Sequence, residues 1–216
     1  MQRTVQLEIL DHLPACNIDA IASRRDLVKI NCLMGNFRWM RSAIKSERNR
    51  ATLRYLEIGA GDGHLGQRLI RSANIEHYDA IDLSSRPNSW PQSAQWFARD
   101  LLSFDGYGDY THIVANLILH HFESVQLAEL GESIQRSGVR CILANEPCRR
   151  ALHKYQLRAG KLIGFNYVTL NDGCVSIDAG FRGDELPELL GLSREQWTWQ
   201  INETLMGAYR MRAERR

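Results

Sequence analysis

The sequence predicts an α/β fold in which a mostly parallel sheet carries helices on both faces, ends in an antiparallel strand and is preceded by an N-terminal helical cap. Two observations predict it. From residue 53 onward, short apolar, β-branched runs alternate with helical stretches, as strands buried on both faces require. The first of those runs ends on three glycines that open a helix, a turn in which the backbone itself can approach a ligand.

The elements follow in chain order. Residues 1–50 read as helical and are assigned to the cap; residues 51–216 form the main domain. Val5, Leu7, Ile9 and Leu10 precede a turn at residues 11–14, and Ser23 with Asp26 resembles a helix N-cap. Leu27, Ile30, Leu33, Met34, Phe37, Met40 and Ile44 recur at helical spacing, with Gly35 marking a break or bend. Strands are expected at 53–58, 77–83, 94–98, 111–117 and 139–144, with helices at 64–73 and 123–136 between them. A long helix over 149–163 should turn Ala151, Leu152, Tyr155, Leu157 and Leu162 inward, and a short one surrounds Pro187. Residues 197–201 and 205–211 read as a hairpin with its turn near Asn202 and Glu203.

Composition narrows the function. A charged fraction of 24% beside 44% hydrophobic residues argues for a folded domain, and a net charge of +2 is too small to imply nucleic acid. The basic C-terminus (Arg210, Arg212, Arg215, Arg216) reads as a solvated tail. Five scattered cysteines without a Cys-x-x-Cys pair argue against a disulfide framework or a zinc cluster, and no metal is expected. No apolar run is long enough to span a bilayer and no signal-peptide core is present, so a cytoplasmic location is expected.

Gly59, Gly61 and Gly63 follow a strand, and the helix after them presents free N–H groups to a ligand. The overlapping Gly61, Gly63 and Gly66, with Asp82 about 20 residues on, also fit a dinucleotide fingerprint and keep an NAD-dependent oxidoreductase open. Three acids separate the two readings. Glu57 suits an ammonium group and repels a pyrophosphate, Asp62 sits inside the turn, and Asp100 after the third strand can accept from an adenine amino group.

The run Leu56-Glu57-Ile58-Gly59-Ala60-Gly61-Asp62-Gly63 resembles motif I of class I S-adenosylmethionine-dependent methyltransferases, and residues 111–122 are similar to the fourth-strand motif of their small-molecule, ubiquinone-biosynthesis type. The resemblance covers about residues 53–146. It implies a Rossmann-like seven-stranded sheet whose last strand is antiparallel, and S-adenosyl-L-methionine as cofactor. It further implies that Glu57, Gly59, Ala60, Gly61 and Gly63 bind the cofactor from the turn. Asp82 with Leu83 would hold the ribose, Asp100 with Leu101 the adenine, and Asn116 would complete the site.

The acceptor should sit outside the carboxyl ends of the fourth and fifth strands. His120 or His121 is a candidate base, with Glu146 a second; in the family, histidines at this place often orient the loop instead. His153 could face the same pocket. Cys148 after Pro147 raises a covalent nucleic-acid methyltransferase, disfavoured because the chain lacks a basic groove with interleaved aromatics. Arg24, Arg25, Asn31, Asn36, Arg38 and Trp39 are candidate acceptor contacts in the cap, and Phe165, Tyr167 and Phe181 candidate linings of an acceptor-side loop at 171–181. The expected partner is a phenol, quinone or polyketide-like small molecule of secondary metabolism, methylated on O or C; a homodimer stays open, and a non-catalytic relative is the third class.

Overall fold

A computed structural model describes residues 1–14, 16–47 and 52–216. The expected boundary between cap and domain, at residues 50 and 51, lies outside the described residues.

Seven strands form one sheet: β1 (Arg54–Ile58), β2 (His77–Asp82), β3 (Trp96–Ala98), β4 (His112–Asn116), β5 (Cys141–Pro147), β6 (Trp197–Glu203) and β7 (Ala208–Arg215). Their spatial order is β3-β2-β1-β4-β5-β7-β6. The first five are parallel, while β7 runs antiparallel to both β5 and β6. Alternation along each strand feeds two cores. Leu56, Ile58, Ile113, Ala115, Ile142 and Ala144 pack toward Leu127, Leu130 and Ile134 of α5 (Ser124–Ser137). Tyr55, Val114 and Leu143 pack toward the opposite layer, which contributes Met40, Ile44, Leu69 and Trp90. Both faces are therefore dry, and this explains why the central strands read as unbroken apolar runs.

The N-terminal segment places three helices, α1 (Ile9–His12), α2 (Ile18–Leu33) and α3 (Asn36–Ser46), before β1. The break expected at Gly35 is real: its φ of 69° ends one helix and starts the next. Ser23 and Asp26 do not cap a helix. Asn17 does, accepting from the backbone of Asp19 and Ala20. Ser23 and Asp26 lie buried in mid-helix because their partners come from α7 (Tyr167–Ala179). Asp26 accepts from the Asn166 backbone at 2.8 Å and from Thr169 Oγ1 at 3.2 Å, and Thr169 Oγ1 also bonds Ser23 at 3.1 Å.

The remaining differences lie after β4. β5 runs through Asn145, Glu146 and Pro147, held by pairing to β7, so Pro147 ends a strand and starts no helix. α6 covers only Ala151–Ala159, continued by a 3-10 turn at Gly160–Ile163, and its Leu152, Tyr155 and Leu162 face outward. Residues 171–179, expected as loop, are helical: a Cβ on Gly173 would stand 2.5 Å from Leu157, so this glycine is what lets α7 lie against α6. The helix around Pro187, α8, spans Glu185–Leu189. The hairpin turns at residues 204–207, where Thr204 donates to Ala208 O at 2.8 Å and Gly207 has a φ of 82°, and not at Asn202 and Glu203. Arg210, Arg212 and Arg215 belong to β7 and form no tail. No described helix is long and apolar enough to cross a membrane.

Asp26→Ala is expected to lower the unfolding free energy by about 2–3 kcal/mol, because it strands a backbone N–H and a hydroxyl between α2 and α7. Urea denaturation of the variant beside wild type measures this directly.

Candidate cofactor and acceptor site

β1 ends at Ile58, and the chain turns through Gly59, Gly61 and Gly63 with φ of 64°, 59° and 74° before α4 (His64–Ala73) begins. Only glycine adopts these values freely. Each position has its own second reason. A Cβ on Gly59 would lie 2.2 Å from Ile118, and one on Gly63 would lie 2.8 Å from Trp90. A Cβ on Gly61 would meet nothing within 4 Å, so this face of the turn opens onto free space. The Gly59 and Ala60 backbones donate to Ile81 O at 2.9 and 3.3 Å, tying the turn to β2.

Asp82, at the end of β2, accepts from the Gly61 N–H at 2.7 Å with one oxygen and from the Ser84 N–H and hydroxyl at 2.8 and 2.7 Å with the other. Leu83 beside it is 80% exposed. Arg99 donates to Asp82 O at 3.0 Å, which brings the end of β3 alongside; Asp100 then caps a short 3-10 turn through the Leu102 N–H. Its carboxylate is exposed, whereas Leu101 is buried in the core.

Glu57 is placed differently from the expectation. As an inward position of β1 it is 2% exposed, with Oε2 accepting from Tyr78 OH at 3.0 Å and lying 2.5 Å from where a Gly66 Cβ would stand. The carboxyl therefore braces the underside of α4 from within the core. Burial, reinforced by the charges of Asp62 and Asp82, pushes its pKa up to about 8.

Asn116 closes β4. Beyond it, Leu117 adopts a left-handed φ of 58°, rare for a non-glycine residue, and delivers Ile118 onto Gly59. Asn116 donates to Asn31 of α2 at 3.1 Å, Asn36 of α3 donates to the same oxygen at 2.9 Å, and Asn145 of β5 reaches Asn116 at 3.5 Å. Asn36 and Asn145 each keep a buried side-chain oxygen without a partner. Beside this chain of amides lies a cavity of about 360 Å³ walled by Gly35, Arg38, Trp39 and Arg210. Arg210 donates to Met34 O at 2.7 Å while its buried Nε has no partner, and desolvation with the nearby Arg38 charge lowers its pKa. Neither arginine pairs with a carboxylate among the described residues.

The candidate bases lie across the sheet. Glu146 follows Asn145 and so points to the opposite face, where it is fully buried and accepts from the Ile118, Leu119 and His120 backbones at 3.2, 2.9 and 3.3 Å and from His120 Nδ1 at 2.7 Å. Burial alone would lower the His120 pKa, but the bond to Glu146 and the nearby carboxylates of Glu146 and Glu8 outweigh it and hold it at about 9. His120 is then a cation at neutral pH with no lone pair to offer as a base, and Glu146 is saturated with donors. The His121 ring is tilted against that of His120 with centroids 4.3 Å apart, its pKa lowered by burial and by the His120 charge. His153 bonds Gln156 at 2.7 Å and packs under Gly207, apart from the amide cluster. Cys148 is buried, donates to Glu203 at 3.4 Å and has its thiol pushed up to about 11, the opposite of an activated nucleophile. Phe165 and Phe181 are core residues and Tyr167 is exposed.

Sequence reasoning missed Leu117 and Arg210. The strain at Leu117 leaves no trace in residue type, and Arg210 became legible only once β7 paired with β5 across from Asn145.

An antiparallel β7 between β5 and β6 sets this sheet apart from the all-parallel dinucleotide-binding arrangement. The fold is that of class I methyltransferases. The plantazolicin methyltransferase BpumL in complex with SAH superposes with a TM-score of 0.68 at 14% identity, covering 93% of this chain and 91% of that one. The pyocyanin biosynthetic protein PhzM gives 0.62 at 14% identity over 97% of this chain and 62% of that one. The methyltransferase domain of bacterial CtHen1 gives 0.56 at 11% identity over 84% and 97%. No family model and no curated protein matches the sequence.

Because Glu57 is neutral in the fold and ionised in the unfolded chain, it contributes stability at low pH that is lost as pH rises from about 4.5 to about 8. Glu57→Gln is expected to flatten this part of the Tm–pH curve, measured by thermal denaturation across that range.

Proposed function

We propose that the chain is an S-adenosylmethionine-dependent methyltransferase acting on a small-molecule acceptor. The observation that carries this reading is the open face of Gly61 with Asp82, Leu83 and Asp100 at the neighbouring strand ends. Asp82 would exchange its bonds to Ser84 for the ribose hydroxyls, Leu83 would cover one face of the adenine, and Asp100 would accept from its amino group. When bound, the cofactor supplies an electrophilic methyl group on a sulfonium. Two acids beside one turn, Asp62 and Asp82, favour such a cation over the pyrophosphate of NAD.

The acceptor would lie over the asparagines at the ends of β4 and β5. Unpaired oxygens of Asn36 and Asn145 favour a donor on the acceptor, and Arg38 with Arg210 favour an oxygen carrying negative charge. A phenol or enol in such a place ionises more readily, so that transfer needs positioning more than a protein base. This fits the lack of a free base at His120 and Glu146. The N-terminal residues up to about 50 would serve as a cap, since α2 and α3 supply Asn31, Asn36, Arg38 and Trp39. The neighbours support a small acceptor: BpumL is seen with desmethylPZN analogues, and PhzM is described as pyocyanin-biosynthetic.

Calorimetry with S-adenosylhomocysteine tests the cofactor assignment. Wild type should bind it and not NADH, Asp82→Ala should bind about 10–100-fold more weakly, and Gly61→Arg should not bind. Binding that survives Gly61→Arg unchanged would overturn the reading. Arg38→Gln is expected to leave this affinity intact while lowering kcat/KM roughly tenfold toward an ionisable phenol, measured in a radiolabel transfer assay.

A further inference from the structure

The N-terminal segment threads between α7 and the turn after β4. Arg3 donates to Ala179 O at 2.8 Å and to Phe122 O at 2.6 Å, Thr4 donates to Asp178 O at 3.1 Å, and the Ile9 and Leu10 N–H groups both bond Asp172 at 2.9 Å. The segment so anchored brings Glu8 to the paired histidines. Glu8 Oε1 stands 3.7 Å from His120 Nε2 and 3.8 Å from His121 Nε2, and all three donor atoms lie within 4.8 Å of one another.

These spacings are too long for hydrogen bonds. With Zn–N and Zn–O bonds of about 2.0–2.2 Å, two ligands of a tetrahedral ion stand roughly 3.3–3.5 Å apart. The two Glu8 contacts need shorten by only a few tenths of an ångström, while the two imidazole nitrogens, within 4.8 Å of each other, would draw together by a rotation of the more exposed His121 ring. The groups that would orient the ligands are already in place. His120 Nδ1 bonds Glu146 at 2.7 Å, which fixes the ring with Nε2 toward Glu8, and Asp11 lies 4.0 Å from His121 Nδ1. A carboxylate behind an imidazole is the usual support of a metal-binding histidine. Glu8 also accepts from Ser176. The ion would take the place of the His120 Nε2 proton, which binding releases, and the two carboxylates, Glu8 and Glu146, then bring a charge that a divalent cation neutralises in a nearly dry place; His121 alone of the three ligands is substantially exposed.

We propose that Glu8, His120 and His121 bind a divalent cation of the zinc class, which clasps the N-terminal segment to the turn after β4. Two imidazoles and one carboxylate suit zinc and its first-row neighbours better than the oxygen-seeking magnesium or calcium. Solvent at the His121 side would fill the fourth position. The comparable group of Glu47, His112 and Cys141 differs, because Arg212 already sits 2.8 Å from Glu47 and His112 Nδ1 bonds Thr111 at 2.8 Å.

The 216-residue chain stripped with a chelator should take up one equivalent of Zn(II) by calorimetry, and Co(II) should give the intense visible bands of a tetrahedral site. Glu8→Gln and His121→Ala should each weaken Zn(II) binding by at least about tenfold. Added Zn(II) should slow proteolysis within the first 12 residues of wild type but not of Glu8→Gln. Thermal unfolding and S-adenosylhomocysteine titration on the same samples show that each variant is folded and keep this test separate from the methyltransferase reading. No stoichiometric Zn(II) uptake by folded wild type, or equal uptake by both variants, would overturn the proposal; a metal-free ion-paired latch would then account for the cluster.

Discussion

The buried carboxylate of Glu146 is the point on which the site depends. It collects three consecutive backbone N–H groups and one imidazole in a place water does not reach. Each of those donors, left alone, would cost about 1–3 kcal/mol. The carboxylate thereby holds the segment after β4 in a tight turn, and the strained Leu117 at its start becomes tolerable. The strain has a product. It sends Ile118 across to cover Gly59, which must be glycine for that contact to exist. A residue on the far side of β5 thus sets the shape of the turn after β1, through one loop and without touching it.

This dependence also explains what could be read from the sequence and what could not. The placement of the glycine turn, Asp82 and Asp100 was legible because its signal is local: a glycine pattern at one strand end and acids at the next two. The parallel strands were legible because burial on both faces leaves apolar runs. Glu146 was legible as a polar residue in an apolar strand, but its role was not, since its partners lie 26 to 28 residues away on another loop. Ser23 and Asp26 misled in the same way, their partners at the start of α7 being 140 or more residues distant. The last third was hardest. Asn171, Asp172 and Gly173 carry the composition of a loop, yet Gly173 is a contact residue of a helix, and Asp172 is spent on the backbone of α1. Outward-facing Leu152 and Tyr155 defeat the periodicity that would have oriented α6.

The sheet divides the ionisable groups into two sets with different work. On the α5 side, Glu146 and His120 satisfy one another and the backbone around them, so they position structure. On the side of α3 and α4, polar groups are left open: Asp82 and Asp100 at the strand ends beside the glycine turn, and two arginines beside a chain of amides. Unspent polar capacity of this kind costs stability in the empty protein and is what a ligand can use.

In the proposed reaction these two unspent sets face opposite charges. The glycine turn and its acids lie where the cationic methyl donor would be held, and the arginines lie where an ionised acceptor oxygen would be held. Transfer of a methyl group between them cancels both charges at once. Water, which solvates separated charges better than neutral products, works against such a step, whereas fixed protein dipoles under covering helices do not have to reorganise. The value of α2 and α3 over the ends of β4 and β5 is then more than enclosure. Asn31 and Asn36 give Asn116 a rigid neighbour, so the polar groups that remain open are few, oriented and dry. A site organised this way makes positioning its main instrument, and a protein base becomes unnecessary for any acceptor that the arginines can hold as an anion.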